Sequence, residues 1–327
     1  MKYLFITGHR KSGTTLLINL LDGLEGFCVY PTDIAFLYAY YPYFNNSKFS
    51  LEFKKRRLKK IIRKSLELSL KKNIKIKNYF NINIFVNNFI KKINNKNISN
   101  LKKIFFILSN EYIKYFKTYK KQSNYKIEYF VFKESSQGYL LHEIKNWVKD
   151  FKTIQIIRDP RDNFASLKSG LKNKYSKTGE DYLTLTWSCI NRLKIDFEYI
   201  DINKKILKKK YLIVRFEDLT LSKIKTLKKI SKFLEIKFQN KFLEPTQLGI
   251  KTYGNNLEGK KFKLISSINT LNWKNRITDN EAKLIQFYFN NYFKKFKYKF
   301  FDYKKKNLNF INSFYQETNK FFFKDKF

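Results

Sequence analysis

A glycine-containing loop between an apolar run and a helical run constrains the fold of this chain more than any other feature. Residues 3–7 are apolar and end at Gly8, and from residue 14 to residue 24 leucines recur at helical spacing. The loop between them reads Gly8-His9-Arg10-Lys11-Ser12-Gly13-Thr14-Thr15. Backbone N–H groups at such a turn, with a helix N-terminus behind them, form a concave site for a phosphate. The sequence therefore predicts a strand, an anion-binding loop and a helix.

Further strand-like runs indicate how the rest of the chain is organised. They lie at Tyr129–Phe132, Thr153–Ile157 and Tyr211–Phe216, and helix-length segments separate them. This alternation is typical of a parallel sheet. We expect an α/β domain over residues 1–293, a doubly wound parallel sheet of the P-loop nucleotide-binding type. Residues 45–128 are predicted to form a helical cap insertion, and residues 294–327 a basic and aromatic C-terminal extension.

The loop resembles a nucleotide-triphosphate P-loop in its GxxxxG frame but departs from it at one position. That motif requires Lys after the second glycine, and here the residue is Thr14, while the cation sits inside the loop as Lys11. Arg10 adds a second charge, and Thr14 and Thr15 add hydroxyl donors. An ordinary kinase or ATPase is disfavoured, although a P-loop kinase-like phosphotransferase remains an alternative.

A second motif offers another phosphate site. An apolar strand ends at Arg158, Pro160 follows, and a helix is predicted to start near Asp162. Ser166 then lies about one turn into that helix. Arg supplies a planar fork and Ser a hydroxyl donor, so Arg158 and Ser166 could bind one phosphate together. The alternative is a surface Arg–Asp pair interrupted by proline.

Taken together, these segments resemble the sulfotransferases that use 3′-phosphoadenosine 5′-phosphosulfate. Residues 11–15 resemble their 5′-phosphosulfate loop, and residues 158–166 their 3′-phosphate site. Residues 215–234 resemble a late strand and its helix, and Trp273 with residues 277–281 resembles the closing segment, so the likeness runs in family order from residue 3 to about 290. It implies transfer of a sulfuryl group from that donor to an acceptor hydroxyl, with no metal.

The resemblance also implies roles for individual residues. Lys11 would stabilise the bridging oxygen of the donor as it leaves, and Lys133 at a strand end would help to hold the sulfuryl group. Phe216, where many relatives carry Tyr, would lie against adenine. The 5′-phosphate would contact Arg10, Lys11, Ser12, Gly13, Thr14 and Thr15, and the 3′-phosphate Arg158 and Ser166. For Lys133, a solvated surface lysine is the alternative.

A general base must take the proton of the acceptor hydroxyl. Asp33, in Pro31-Thr32-Asp33, lies where related enzymes often place Pro and then Glu, and is our candidate. Its alternative role is a helix N-cap. His9 in the loop and His142 on a helix predicted over Tyr139–Val148 are the competing bases. Where some relatives have a catalytic His, this chain has Ser135, which favours a carboxylate.

The charge of the chain limits which partners can be inferred. Lys and Arg total 68 against 27 Asp and Glu, a formal net charge of +41. Only nine of these residues are Arg, and the abundant Lys, Asn, Ile, Phe and Tyr are all encoded by A/T-rich codons, so base composition explains much of the excess. We expect no nucleic-acid partner, although a basic nucleic-acid-binding protein stays an alternative; it would bind with a steep salt dependence.

Two cysteines are too few for a disulfide framework or a zinc site, and no run of about 20 apolar residues is present. We therefore expect a cytoplasmic protein without a membrane span. The acceptor would be a hydroxyl-bearing small molecule or a glycan; small alcohols, lipid-linked sugars and peptide tyrosines remain open, and family analogy favours the glycan. The sequence leaves the oligomeric state undetermined.

Overall fold

A five-stranded parallel sheet forms the centre of the computed structural model, which describes residues 1–39, 46–70, 80–119, 125–174, 182–255, 261–262 and 265–300. The strands follow the order β2-β3-β1-β4-β5, and every neighbouring pair is parallel. Their bounds are β1 Lys2–Thr7, β2 Phe27–Asp33, β3 Tyr129–Lys133, β4 Phe151–Ile157 and β5 Tyr211–Arg215. The predicted α/β class with a parallel sheet is confirmed.

Helices connect the strands. In chain order they are α1 Thr14–Leu21, α2 Phe36–Ala39, α3 Leu51–Leu70, α4 Ile82–Lys91, α5 Leu101–Tyr119, α6 Leu141–Ile144, α7 Pro160–Lys174, α8 Tyr182–Leu207, α9 Phe216–Leu221, α10 Lys223–Leu234, α11 Asp279–Tyr288 and α12 Asn290–Lys295. Short 3-10 turns lie at Gly138–Leu140, Lys208–Lys210, Asn240–Leu243 and Trp273–Asn275. Two small antiparallel pairs join β6 Thr246–Gln247 to β7 Ile250–Lys251 and β8 Gly254–Asn255 to β9 Lys261–Phe262.

Both faces of the sheet are covered, because side chains alternate along each strand. Leu4 and Ile6 of β1 belong to a cluster with α1 and α10 on one face. Tyr3 and Phe5 belong to a larger cluster on the other face, which includes residues of α3, α4, α5 and α8. These four side chains of β1 are at most 9% exposed, so the sheet is buried on both sides. The doubly wound arrangement predicted from the sequence is therefore present.

The described part of residues 45–128 is mainly helical. In α3, Leu58, Ile62 and Leu66 recur every four residues and are fully buried, so this stripe packs on the core. The same helix is fastened to the end of β2, where Ser65 Oγ donates to the carbonyl of Asp33 at 2.8 Å. The assignment of 45–128 as a cap and of 294–327 as an extension stays a prediction, and residues 301–327 lie outside the described ranges.

The sequence reading missed one strand, β2. Pro31 lies inside this strand, and a proline lacks the N–H that a central strand needs. β2 is an edge strand, and its pairing with β3 is irregular between Val29 and Asp33, so the missing donor is tolerated there. Asp33 is consequently the last residue of a strand.

Three predicted boundaries were also wrong. Phe216 begins α9 instead of ending β5, and α7 begins at Pro160, because proline suits the first position of a helix. The helix predicted over Tyr139–Val148 is a 3-10 turn followed by the four-residue α6. Among the described residues, no helix is long and apolar enough to cross a membrane.

Candidate active site

The loop after β1 adopts a left-handed backbone conformation at Lys11 and at Gly13. Gly13, the residue before α1, has φ 100°, and Lys11 has φ 69° although it is not a glycine. A left-handed non-glycine residue costs about 1–3 kcal/mol, so its surroundings must hold it in place. Arg158 Nη1 does so by donating to the carbonyl of Lys11 at 2.8 Å. Lys11 itself is exposed, while Ser12 and Thr14 are buried.

Asn163 of α7 ties the loop to the second motif. Its Nδ2 donates to Ser12 Oγ and to the carbonyl of Arg10, both at 2.9 Å. Asn163 lies within the second motif, residues 158–166, but the sequence alone predicted no role for it. Asn163 and Arg158 thus connect the two motifs. The other loop residues of the prediction, Arg10, Thr14 and Thr15, lie on the same short stretch of chain.

Phe216 packs against the loop from the other side. A Cβ built on Gly13 would lie 2.4 Å from Phe216 Cδ2, so the ring occupies the space that any side chain would need. The guanidinium of Arg158 stands 4.7 Å from the centre of the same ring. Phe216 therefore supports both phosphate motifs, and its contact with adenine stays a prediction.

Substituting Gly13 with alanine should disturb this packing. The Cβ would collide with Phe216, and φ 100° is unfavourable for alanine. We expect a loss of about 1–3 kcal/mol in the free energy of unfolding, measured by chemical denaturation. Gly138→Ala is the matched control, since the nearest atom to its Cβ is 3.5 Å away. Equal stability of the two variants would contradict the packing argument.

Arg158 and Ser166 are brought together as the sequence predicted. Arg158 Nη1 donates to Ser166 Oγ at 3.1 Å, and the two side chains belong to residues only 4% and 8% exposed. Arg158 Nη2 donates to the carbonyl of Asn269. The surface Arg–Asp pair that we considered as the alternative is therefore wrong for Arg158, which is buried beside the loop.

Arg276 joins this pair and was not found from the sequence. Its Nη1 donates to Ser166 Oγ at 3.3 Å and its Nη2 to Ser169 Oγ at 2.9 Å. Two guanidinium groups thus converge on one hydroxyl. Burial lowers the pKa of Arg158 and the charge of Arg276 acts in the same direction, while the nearby carboxyl groups of Asp162, Glu217 and Asp159 oppose the shift without cancelling it. Such a concentration of positive charge is suited to an anion. We call Arg158, Ser166 and Arg276 the arginine clamp. The scarcity of arginine, nine in the chain, was the one available signal.

Asp33 and Lys133 meet at the ends of β2 and β3. Lys133 Nζ lies 2.6 Å from Asp33 Oδ2, and the lysine is 3% exposed, so it is not a solvated surface residue. Ser135 donates its N–H and its hydroxyl to Asp33 Oδ1 at 2.9 and 3.0 Å. Asp33 does not cap a helix, because it ends β2 and α2 begins at Phe36. Its side chain is 33% exposed.

Electrostatics keep the Asp33 carboxylate ionised. Burial alone would raise its pKa, but the charge of Lys133 and the hydrogen bonds from Lys133 and Ser135 outweigh burial and lower the pKa below the usual value. The neighbouring Glu134 behaves oppositely: burial, with the charge of Asp33, raises its pKa well above the usual range. Lys133 and Ser135 therefore favour the ionised form of Asp33, whereas burial favours the protonated form of Glu134.

The two histidines differ in their surroundings. His142 is exposed and its Nδ1 lies 2.8 Å from the carbonyl of Tyr139. His9 is buried in the loop, with Nδ1 2.7 Å from Asp196 Oδ2 of α8. The loop, Arg158, Asp33 and Lys133 all lie at or directly after the carboxyl ends of parallel strands, which is where open α/β sheets bind ligands.

Comparison with known proteins found a matching family model and several similar structures. The family model described as "Sulfotransferase family" matches residues 4–240. The sulfotransferase domain from the curacin biosynthetic pathway is 16% identical, with a TM-score of 0.55 over 90% of this chain and 97% of that one. The sulfotransferase domain of the Synechococcus PCC 7002 olefin synthase is 16% identical, with a TM-score of 0.49 over 97% and 94%. Among curated protein sequences none matches significantly.

Proposed function

The chain belongs to the sulfotransferase family, and on this premise we propose that it transfers a sulfuryl group from 3′-phosphoadenosine 5′-phosphosulfate to an acceptor hydroxyl. The observation that supports this donor most directly is the position of Arg158. It holds the loop through the carbonyl of Lys11 and forms the arginine clamp through Ser166, so one side chain joins two separate anion sites. A donor with a 5′-phosphosulfate and a 3′-phosphate would occupy both.

Catalysis in this proposal is mainly positioning and charge stabilisation. Sulfuryl transfer, like phosphoryl transfer, is treated as an in-line displacement through a loose transition state. Ser12, Thr14 and Thr15 hold the 5′-phosphate together with the N-terminus of α1, and Lys11 neutralises the bridging oxygen as the bond to sulfur breaks. The arginine clamp fixes the other end of the donor, and Phe216 lies near adenine.

The acceptor side is formed by Asp33 and Lys133. The carboxylate of Asp33 accepts the hydroxyl proton while the new S–O bond forms. Lys133, whose Nζ lies 2.6 Å from Asp33 Oδ2, keeps that carboxylate ionised and in position at the strand end. A weakly basic carboxylate is sufficient, because the hydroxyl becomes acidic as sulfur approaches its oxygen. We propose that the hydroxyl belongs to a glycan, on family analogy, and that the reaction occurs in the cytoplasm.

Ligand-dependent thermal stability tests the donor. Adenosine 3′,5′-bisphosphate should raise the melting temperature, adenosine 5′-monophosphate should do so less because it cannot reach the arginine clamp, and ATP with Mg²⁺ should not exceed the monophosphate. Stabilisation by ATP with Mg²⁺ above that by the bisphosphate would favour a kinase-like phosphotransferase instead. Transfer of labelled sulfate from the donor to a panel of glycans and small alcohols then tests the acceptor.

Removing either guanidinium of the arginine clamp should weaken binding more than chemistry. We expect Arg158→Ala and Arg276→Ala each to lose about 1.5–3 kcal/mol of affinity for the bisphosphate, roughly 10- to 150-fold, measured by calorimetry. Affinity for adenosine 5′-monophosphate should change far less in Arg276→Ala. Arg192→Ala on α8, outside the clamp, is the control. If Arg276→Ala binds the bisphosphate like the unmodified protein, the clamp has been assigned incorrectly.

A further inference from the structure

A buried histidine–aspartate pair lies behind the loop and has no role in the mechanism above. His9 is the second residue of the loop, and Asp196 lies in the middle of α8. Their side chains are 4% and 5% exposed, and His9 Nδ1 is 2.7 Å from Asp196 Oδ2. Burying a carboxylate is unfavourable in free energy unless the group is paired, and His9 is the side chain that pairs with Asp196 here.

The chemistry of the contact fixes which nitrogen carries the proton. A carboxylate accepts hydrogen bonds and does not donate them, so the tautomer of His9 that satisfies Asp196 carries its hydrogen on Nδ1. Ser136 Oγ lies 3.2 Å from the same nitrogen, farther than Asp196. The ring is therefore oriented by Asp196, in the way that a carboxylate orients a histidine in metal sites and catalytic triads.

The pair is connected to both halves of the site through Ser135 and Ser136. Ser136 Oγ accepts the N–H of Arg10 at 3.3 Å, and Ser136 N–H donates to the carbonyl of Gly8 at 2.9 Å, so Ser136 holds the donor loop. Its neighbour Ser135 holds Asp33 with two hydrogen bonds. The turn that bears both serines thus joins the candidate base to the loop that carries Lys11.

Asp196 is itself held rigidly against the sheet. Its backbone carbonyl accepts Gln155 Nε2 of β4 at 3.2 Å. About two turns further along α8, Asn203 Nδ2 donates to the carbonyl of Gly138 at 2.9 Å. α8 is therefore tied both to β4 and to the segment that follows β3, so it holds Asp196 in a fixed position relative to the sheet.

We infer that Asp196 is a positioning residue which, through His9 Nδ1–H, fixes the loop and the Ser135–Ser136 turn relative to each other. This inference rests on the proposed function. In-line transfer requires the donor, held by the loop, and the acceptor, activated by Asp33, to keep one separation and direction, and an error of about 1 Å costs on the order of 10²-fold in rate. His9 thus acts through its Nδ1 side and does not carry the substrate proton.

The main variant is Asp196→Ala, which removes the hydrogen-bond partner of His9 Nδ1 and leaves the histidine in place. We expect kcat to fall by about 10- to 100-fold, while affinity for adenosine 3′,5′-bisphosphate, measured by calorimetry, changes by less than about 5-fold. Asp201→Ala changes the same residue type on the same helix at an exposed position that pairs with Lys295, and should leave both values unchanged.

Two substitutions of His9 separate positioning from proton transfer. The amide nitrogen of Asn can take the place of Nδ1, so His9→Asn should keep most of kcat. The amide of Gln reaches the place of Nε2 instead, so His9→Gln should lose as much as Asp196→Ala. The double variant His9→Gln with Asp196→Ala should be no worse than either single variant, because all of them remove one interaction.

Several outcomes would overturn the inference while leaving the donor assignment intact. Normal kcat in Asp196→Ala would show that the pair has no positioning role. Loss of kcat in His9→Asn equal to that in His9→Gln would show that the imidazole itself is needed. If Asp196→Ala does not fold, His9→Asn and His9→Gln decide the question. Failure of the unmodified protein to bind the bisphosphate would instead reject the proposed function.

Discussion

Lys11→Ala should reduce sulfuryl transfer by about 10³-fold while weakening donor binding much less. Lys11 lies in the turn between β1 and α1, and its main chain is fixed by Arg158, so the ammonium group sits in the loop expected to hold the phosphosulfate. Negative charge on the bridging oxygen grows only as the bond to sulfur breaks, and a cation there therefore stabilises the transition state more than the bound donor.

The measurement must separate chemistry from binding. Single-turnover sulfuryl transfer at saturating donor gives the chemical rate, and calorimetry with adenosine 3′,5′-bisphosphate gives affinity. Lys229→Ala, an exposed lysine on α10 outside the candidate site, controls for the loss of one positive charge from a chain of net charge +41. Near-normal turnover in Lys11→Ala would remove the basis for its catalytic role.

Much of the donor side could be predicted from sequence because it is encoded locally. Gly8 to Gly13 form one short loop that leads directly into α1 at Thr14. Arg158 and Ser166 are joined by a strand end and the start of α7, so their spacing in the sequence predicts that they lie close together. The turn also needs φ 100° at Gly13, a value that glycine adopts readily. The sequence therefore carried enough information to predict that Arg158 and Ser166 lie together and that the loop follows the first strand.

Arg276 and Asp196 could not be predicted, because each meets its partners only through tertiary structure. Arg276 is 110 residues from Ser166, and Asp196 is 187 residues from His9. β2 was missed for a related reason: Pro31 suggests a loop, and only its place at the sheet edge makes a strand possible. Local pattern determines the elements, whereas the packing of α8 and the closing segment determines which side chains complete the site.

Asp33→Asn should reduce turnover by about 10²- to 10⁴-fold with bisphosphate affinity preserved. Asparagine keeps the shape of the side chain and an oxygen for the Ser135 hydrogen bonds, but it cannot accept a proton. Ser65→Ala provides a control, since it removes a hydrogen bond to the backbone carbonyl of Asp33 and leaves the carboxylate intact. His142→Ala should be almost without effect, because that histidine is exposed and contacts the carbonyl of Tyr139.

The pH profile gives an independent test of the same base. A base works when deprotonated, so the rate rises as pH increases through its pKa and is constant above it. Because Lys133 lowers the pKa of Asp33, the rising limb should lie below the usual aspartate value of about 3.9, and turnover should be flat through neutral pH. In Lys133→Ala, burial acts without the opposing charge, and the limb should move to higher pH. A rising limb near pH 6.5 that disappears in a histidine variant would instead identify that histidine as the general base.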